Sequence, residues 1–184
     1  MRPENFIGIH FFSPVERMGL VEIISGEKTS EATLAKAVDY VLAIRKTPIA
    51  VNDSRGFYTS RCFGTYTREG MEMLAEGIKP AIIENVGRQS GMPMGPLEVS
   101  DSVGLDTALK VTRATAEAAG IDLQTDDRTQ FLAWLVEDQE RVGRKPGKGF
   151  YDYNEKGKPE RLWPDLNTQL EVKVEECPPD LKKE

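Results

Sequence analysis

Apolar residues first crowd into short runs and later recur at helical intervals. Phe6, Ile7, Ile9, Phe11 and Phe12 fill residues 5–12, and Leu20, Val21, Ile23 and Ile24 fill residues 20–25. Such runs, rich in β-branched and aromatic side chains, predict buried strands. Ser13-Pro14 ends the first. Ser30 reads as a helix N-cap, and Leu34, Val38, Val41 and Leu42 follow at helical spacing. TPIAVN, residues 47–52, predicts a third strand. Strand, strand, helix, strand is the order expected at the tail of an α/β layer.

Beyond Asp53 the period becomes helical. Phe63, Tyr66, Gly70 and Leu74 mark one face, with Gly77 just past its end. Pro80 opens a second helix bearing Ile82, Ile83 and Val86. Leu105, Ala108, Leu109, Thr112, Ala116 and Ala119 predict a third, closed by Gly120, and Phe131, Leu132, Leu135, Val136 and Val142 a fourth. Trp134 falls off the apolar stripe of that helix and suggests surface or interface. SGMPMGPLEVSDSVGLD, residues 90–106, reads as a fixed turn path, and GRKPGKGFYDY, residues 143–153, as a glycine-rich loop entering an aromatic extended segment. Residues 154–184 are dense in charge and proline, so a loosely docked or disordered linker or tail is expected there, with RLWP as its one anchor. The expected divisions are 1–52, 53–153 and 154–184.

Composition narrows the function classes. Of the 184 residues, 39% are hydrophobic and 29% charged, an ordinary globular balance. A net charge of -6 argues against a nucleic-acid partner. No apolar run is long enough to span a membrane, and the N-terminus carries no signal-peptide pattern. Cys62 and Cys177 are far apart, which suits a reducing cytoplasm and offers no metal site.

The single histidine, His10, ends the first apolar run, and Glu22 interrupts the second. His10 is expected at the C-terminal end of a parallel strand, the side where ligands of open α/β sheets bind. Imidazole titrates nearest neutrality and suits a general base. A carboxylate on the next strand would fix its tautomer. Glu22 unpaired in an apolar strand would be costly, so pairing with His10 accounts for both residues. The alternative is a buried structural histidine beside a Glu at a strand edge.

HFFSPVERMGLVEII, GFYTSRCF, GMPMGPLEVSDSVGLD and GRKPGKGFYDY, in this order, resemble the 3-hydroxyacyl-CoA dehydrogenase family over residues 4–153. With RLWP added, the chain resembles most the dehydrogenase part of the multifunctional alpha subunit of fatty-acid oxidation complexes. The resemblance implies a mainly α fold: the remnant edge of an NAD-binding Rossmann-type domain, then an all-helical C-terminal domain. It implies oxidation of a 3-hydroxyacyl-CoA to the 3-oxoacyl-CoA with NAD in β-oxidation. His10 would be the base, Glu22 its partner, Ser60 a substrate contact, and Ser13 and Lys145 cofactor contacts. Ser13 and Ser60 stand where the family usually has Asn, and a serine keeps a donor and an acceptor at shorter reach. The implied partners are an acyl-CoA substrate, a second copy or sister repeat, and a thiolase subunit in a larger complex.

A dinucleotide domain should open with a strand, G-x-G-x-x-G and a helix. No such spacing occurs here. GRKPGK falls one residue short of a phosphate loop and reads as a turn. The family's dinucleotide domain precedes the His10 segment, so the chain reads as part of a longer protein and is expected to be inactive by itself. The rival readings are a non-catalytic dimerisation or substrate-cleft module, and a relative acting on another 3-hydroxy substrate.

Overall fold

Gly8–Phe11 (β1) and Leu20–Ser25 (β2) are the two expected strands, but they pair antiparallel, with His10 opposite Glu22. The expected parallel partner for His10 is therefore corrected. Residues Phe12 to Gly19 are too few for a parallel crossover, which takes about a dozen or more. The structure is a computed structural model that describes residues 2–169 and 173. Helix α1, Glu31–Ala43, starts where the Ser30 hydroxyl accepts the Thr33 N–H. It crosses to β3, Thr47–Asn52, which pairs parallel with β2. The sheet order is β1-β2-β3. Val21 and Ile23 on β2 bury against Ala37 and Val41 on α1, a small core fixed by period two meeting period 3.6.

The chain divides into two compact units, Met1–Gly64 and Thr65–Glu184. The division falls inside helix α2, Thr59–Ala75. The second unit holds α3, Pro80–Gln89, and α4, Pro96–Val103. It continues with α5, Leu105–Ala119, and α6, Asp127–Ala133, which runs into a π-helical turn over Trp134–Asp138. β4, Tyr151–Tyr153, pairs antiparallel with β5, Pro159–Leu162, and α7, Leu166–Gln169, follows. Leu74, Ile83, Leu97, Leu105, Leu135 and Phe150 centre its core.

Four expectations change here. The glycine- and proline-rich stretch contains a helix, α4, because Gly95-Pro96 is a helix opening as well as a turn signal. The fourth helix stops at Asp138, and Val142 instead accepts the Leu105 N–H through its carbonyl. Trp134 packs on the core between Phe131 and Trp163, because the segment after β4 returns and lays Trp163 over it. The tail is held at its expected RLWP anchor more firmly than a loosely docked segment: Trp163 stacks on Trp134 with the Arg141 guanidinium over its ring, and Leu166 just beyond is buried. The remainder of the expected tail, including Cys177, lies outside the described residues.

Two buried carboxylates organise this unit. Glu84 takes the Leu97 N–H at 2.7 Å and the Tyr151 hydroxyl at 2.8 Å. Asp101 takes the N–H groups of Phe150 and Tyr151 and the Tyr153 hydroxyl, at 2.8, 2.9 and 2.9 Å. Burial outweighs these donors and pushes Asp101 up to about 6. It also raises Glu84. The carboxylates sit where a Cβ on Gly95 or Gly149 would lie, so glycine at those positions is a packing requirement.

Candidate active site

Directly opposed residues of an antiparallel pair share one face of the sheet. His10 and Glu22 use that proximity: Glu22 Oε2 accepts from His10 Nδ1 at 2.7 Å. The histidine side chain is 36% exposed and the glutamate 0%. Glu22 Oε1 takes the N–H of Thr59 at 2.8 Å and that of Tyr58 at 3.1 Å, at the opening of α2. Burial opposes ionisation of Glu22, but the Thr59 N–H, the His10 ring and the Tyr58 N–H prevail and hold the carboxyl below its ordinary range. An ionised Glu22 only accepts, so the Nδ1 of a neutral His10 bears the proton and Nε2 keeps its lone pair. That is the tautomer a general base needs.

Aromatic rings flank the imidazole. Phe12 lies 4.7 Å and Phe57 5.8 Å from it, centroid to centroid. Ser60 is exposed on the first turn of α2, one residue past Thr59. Ser13 is exposed in the β1–β2 loop, three residues beyond His10. Lys46 pins that loop by donating to the carbonyls of Val15 at 2.6 Å and Met18 at 2.7 Å. Lys145 belongs to the second unit, exposed at a cavity lined also by Gly104, Asp106 and Thr107. The first unit therefore brings together His10, Glu22 and the α2 opening that carries Ser60, and holds Ser13 in the loop that follows β1.

Sequence reasoning missed the backbone of Tyr58 and Thr59, and also Phe57 and Lys46. Gly56 before two aromatics was a turn signal, but nothing in the sequence tied that turn to Glu22. Glu84 and Asp101 did leave a signal of the kind that exposed Glu22, a lone carboxylate among Ile82, Ile83 and Val86 or between Val99 and Val103.

Residues 56–153 match the family model for the 3-hydroxyacyl-CoA dehydrogenase C-terminal domain, and residues 1–54 that for the 3-hydroxyacyl-CoA dehydrogenase NAD binding domain. The chain belongs to the 3-hydroxyacyl-CoA dehydrogenase family. A (S)-3-hydroxybutyryl-CoA dehydrogenase from Ralstonia eutropha is 34% identical with a TM-score of 0.72, covering 84% of this chain and 54% of its own. A 3-hydroxybutyryl-CoA dehydrogenase from Escherichia coli K12 is 30% identical with a TM-score of 0.69, covering 85% and 33%. The dehydrogenase part of multifunctional enzyme 1 from C. elegans is 26% identical with a TM-score of 0.64, covering 96% and 39%. The chain thus spans about half the length of the Ralstonia relative and less of the other two. The fold is the one the family implies: a piece of an NAD-binding α/β domain followed by a helical domain.

The family's dinucleotide can be tested against these residues. Ser13 offers an exposed hydroxyl close to the dyad in sequence, which fits one end of the cofactor. The pyrophosphate end needs a glycine turn at a helix N-terminus. Helix α1 opens instead on Ser30, whose hydroxyl already takes the Thr33 N–H. Among the described residues no helix is long and apolar enough to cross a membrane, and no cluster could hold a metal.

Proposed function

We propose that these residues supply the proton-handling half of an NAD-dependent 3-hydroxyacyl-CoA dehydrogenase. The single observation that supports the reading best is the 2.7 Å bond between His10 and a fully buried Glu22 whose other oxygen is already occupied. His10 Nε2 accepts the proton of the substrate 3-hydroxyl, and Glu22 stabilises the imidazolium that results. A bound dinucleotide would supply the acceptor for the hydride that leaves C3. Ser60 donates to a substrate oxygen from the first turn of α2, and Ser13, in the same compact unit, would contact the cofactor. In the reductive direction His10 returns the proton.

The relatives support a short acyl-CoA substrate, since two of them are described as 3-hydroxybutyryl-CoA dehydrogenases. The likeness to the dehydrogenase part of a multifunctional enzyme supports a dehydrogenase carried within a larger multifunctional chain. The finer reading, a role in fatty-acid β-oxidation in the cytoplasm beside a further copy or a thiolase subunit, rests on the sequence resemblance alone.

The test is a chimaera in which this chain replaces the matching half of the Ralstonia relative. NAD-linked oxidation of 3-hydroxybutyryl-CoA should appear, and His10→Ala should lower kcat by about 10²–10⁴-fold. The 184 residues by themselves should stay at background, because they carry no pyrophosphate turn. A folded, NAD-binding chimaera without activity, or one indifferent to His10→Ala, would overturn the proposal.

A further inference from the structure

Among the described residues other than glycine, Arg45, Phe57 and Glu140 have positive φ, at 59°, 46° and 53°. Arg45 follows α1 and Glu140 follows the π turn, where a left-handed residue commonly closes a helix. Phe57 does not close a helix. It precedes one, in a turn after β3, and its bulky side chain makes the left-handed region unfavourable. Such conformations persist where surrounding structure holds them, commonly at functional sites.

The surroundings here are specific. Gly56 is also left-handed, at φ 77°, and the Phe57 N–H is held by the Ser54 carbonyl at 2.9 Å. Immediately after this pair, the N–H groups of Tyr58 and Thr59 converge on one oxygen, Glu22 Oε1. Successive N–H groups gathered by a left-handed residue form an anion-binding concavity, and here the anion is the carboxylate that holds His10. The ring of the same Phe57 meets the imidazole at 5.8 Å, tilted by 52°, and Phe12 meets it at 4.7 Å.

We propose that Phe57 is the positioning residue of the His10–Glu22 pair, acting through both its backbone and its ring. The backbone occupies Oε1 with two donors, so Oε2 faces His10 alone. The ring restricts the imidazole, so that the Nδ1–H tautomer is held in one setting. Phe57 touches the base and transfers no proton. The inference deepens the proposed function and rests on it for its catalytic consequence.

The protein has one histidine, so its ring nitrogens are read without ambiguity in ¹⁵N-labelled protein. With the ring neutral, the unaltered chain should show one protonated and one lone-pair nitrogen, well separated. Phe57→Gly removes the ring and relieves the backbone. It should keep the unfolding midpoint at or above its original value while the two nitrogen signals converge as tautomers exchange. Phe57→Leu keeps the bulk without the ring and should give partial convergence, and Phe57→Tyr should restore the separation. In the chimaera, Phe57→Leu should lower kcat about tenfold or more, with KM changed by less than about twofold. Unchanged nitrogen signals in Phe57→Leu overturn the proposal, whether or not Phe57→Gly folds. The nitrogen signals need neither cofactor nor substrate. An inactive chimaera with the expected signals would therefore count against the functional reading alone.

Discussion

Glu22 uses its two oxygens differently, and this makes its amide a sharper probe than its deletion. In Glu22→Gln the side-chain carbonyl can still take the Tyr58 and Thr59 N–H groups. Its NH₂ then faces His10 Nδ1, which must present a lone pair, and the proton moves to Nε2. The base is left in the wrong tautomer. We expect kcat in the chimaera to fall by at least about 10²-fold with little change in KM. Equal kcat would remove Glu22 from the mechanism. Acid stability should also respond. The folded carboxyl lies below its ordinary 4.5, so its contribution is complete above that value and is lost as pH falls through the folded value. Denaturant midpoints from pH 6 down to pH 3 should therefore decline less in Glu22→Gln than in the parent. Ser60 is a milder case. It is exposed and shorter than the usual Asn, and a bridging water can complete its reach. Ser60→Ala should cost a few-fold in kcat/KM, roughly 1 kcal/mol, and Ser60→Asn should be tolerated. A hundredfold loss would assign the hydroxyl a direct part in the chemistry. At this scale the dyad was legible, because one histidine and one glutamate each interrupt an apolar run. The turn that completes it was not, because its contribution is backbone N–H groups that no side chain advertises.

At the scale of elements, strands and helix starts were legible wherever one face is buried and one residue marks the opening, as the Ser30 cap and Pro80 in the first turn do. Direction and context were harder. The short link from Phe12 to Gly19 already excluded a parallel β1–β2 pair. Helix α4 was hidden because Gly95-Pro96 opens helices and makes turns alike, and Trp134 was misplaced because the ring that covers it, Trp163, comes from a distant segment. The carboxylate network gives two tests here. Gly149→Ala would drive a Cβ into the Asp101 carboxylate, and we expect a loss of about 1–3 kcal/mol in denaturant unfolding. No loss would mean that β4 can move off α4 freely. Asp101 adds a pH test of opposite sign to Glu22. Its folded value is raised to about 6 from 3.8, so its contribution is complete below 3.8 and is lost as pH rises through 6. Asp101→Asn also turns one acceptor into an NH₂, facing either the Phe150 N–H or the Tyr151 N–H and Tyr153 hydroxyl. The variant should therefore be less stable, by a margin that shrinks between pH 4 and 6 by on the order of 1–3 kcal/mol. A margin constant across that window would show that Asp101 does not titrate there.

At the scale of the whole molecule, the two compact units differ in what they bury. In Met1–Gly64 the core cluster is Val21, Ile23, Ala37 and Val41, with Ile7, Ile9, Phe11, Leu34 and Val38 packed partly against it. In Thr65–Glu184 the cluster is three times as large and is tied by Glu84, Asp101 and Arg141, each buried and hydrogen-bonded. Below about 70–80 residues a single core rarely yields more than about 3–5 kcal/mol. Local opening should follow this difference, since regions with few buried apolar contacts open at low free energy. Amide exchange read by mass spectrometry should show Leu20–Ser25 and Glu31–Ala43 exchanging well before the segments around Leu74, Leu97, Leu135 and Phe150. The His10–Glu22 pair would then sit in the less stable unit, with the Glu22 contacts to Tyr58 and Thr59 tying β2 to the start of α2. Glu22→Ala orphans two N–H groups and should speed exchange across β2 and the start of α2, leaving Phe150 unchanged. If β2 proved as protected as Phe150, or if Glu22→Ala altered both units equally, the separation of stability between the units would be wrong. The dyad would then rest on a single cooperative body.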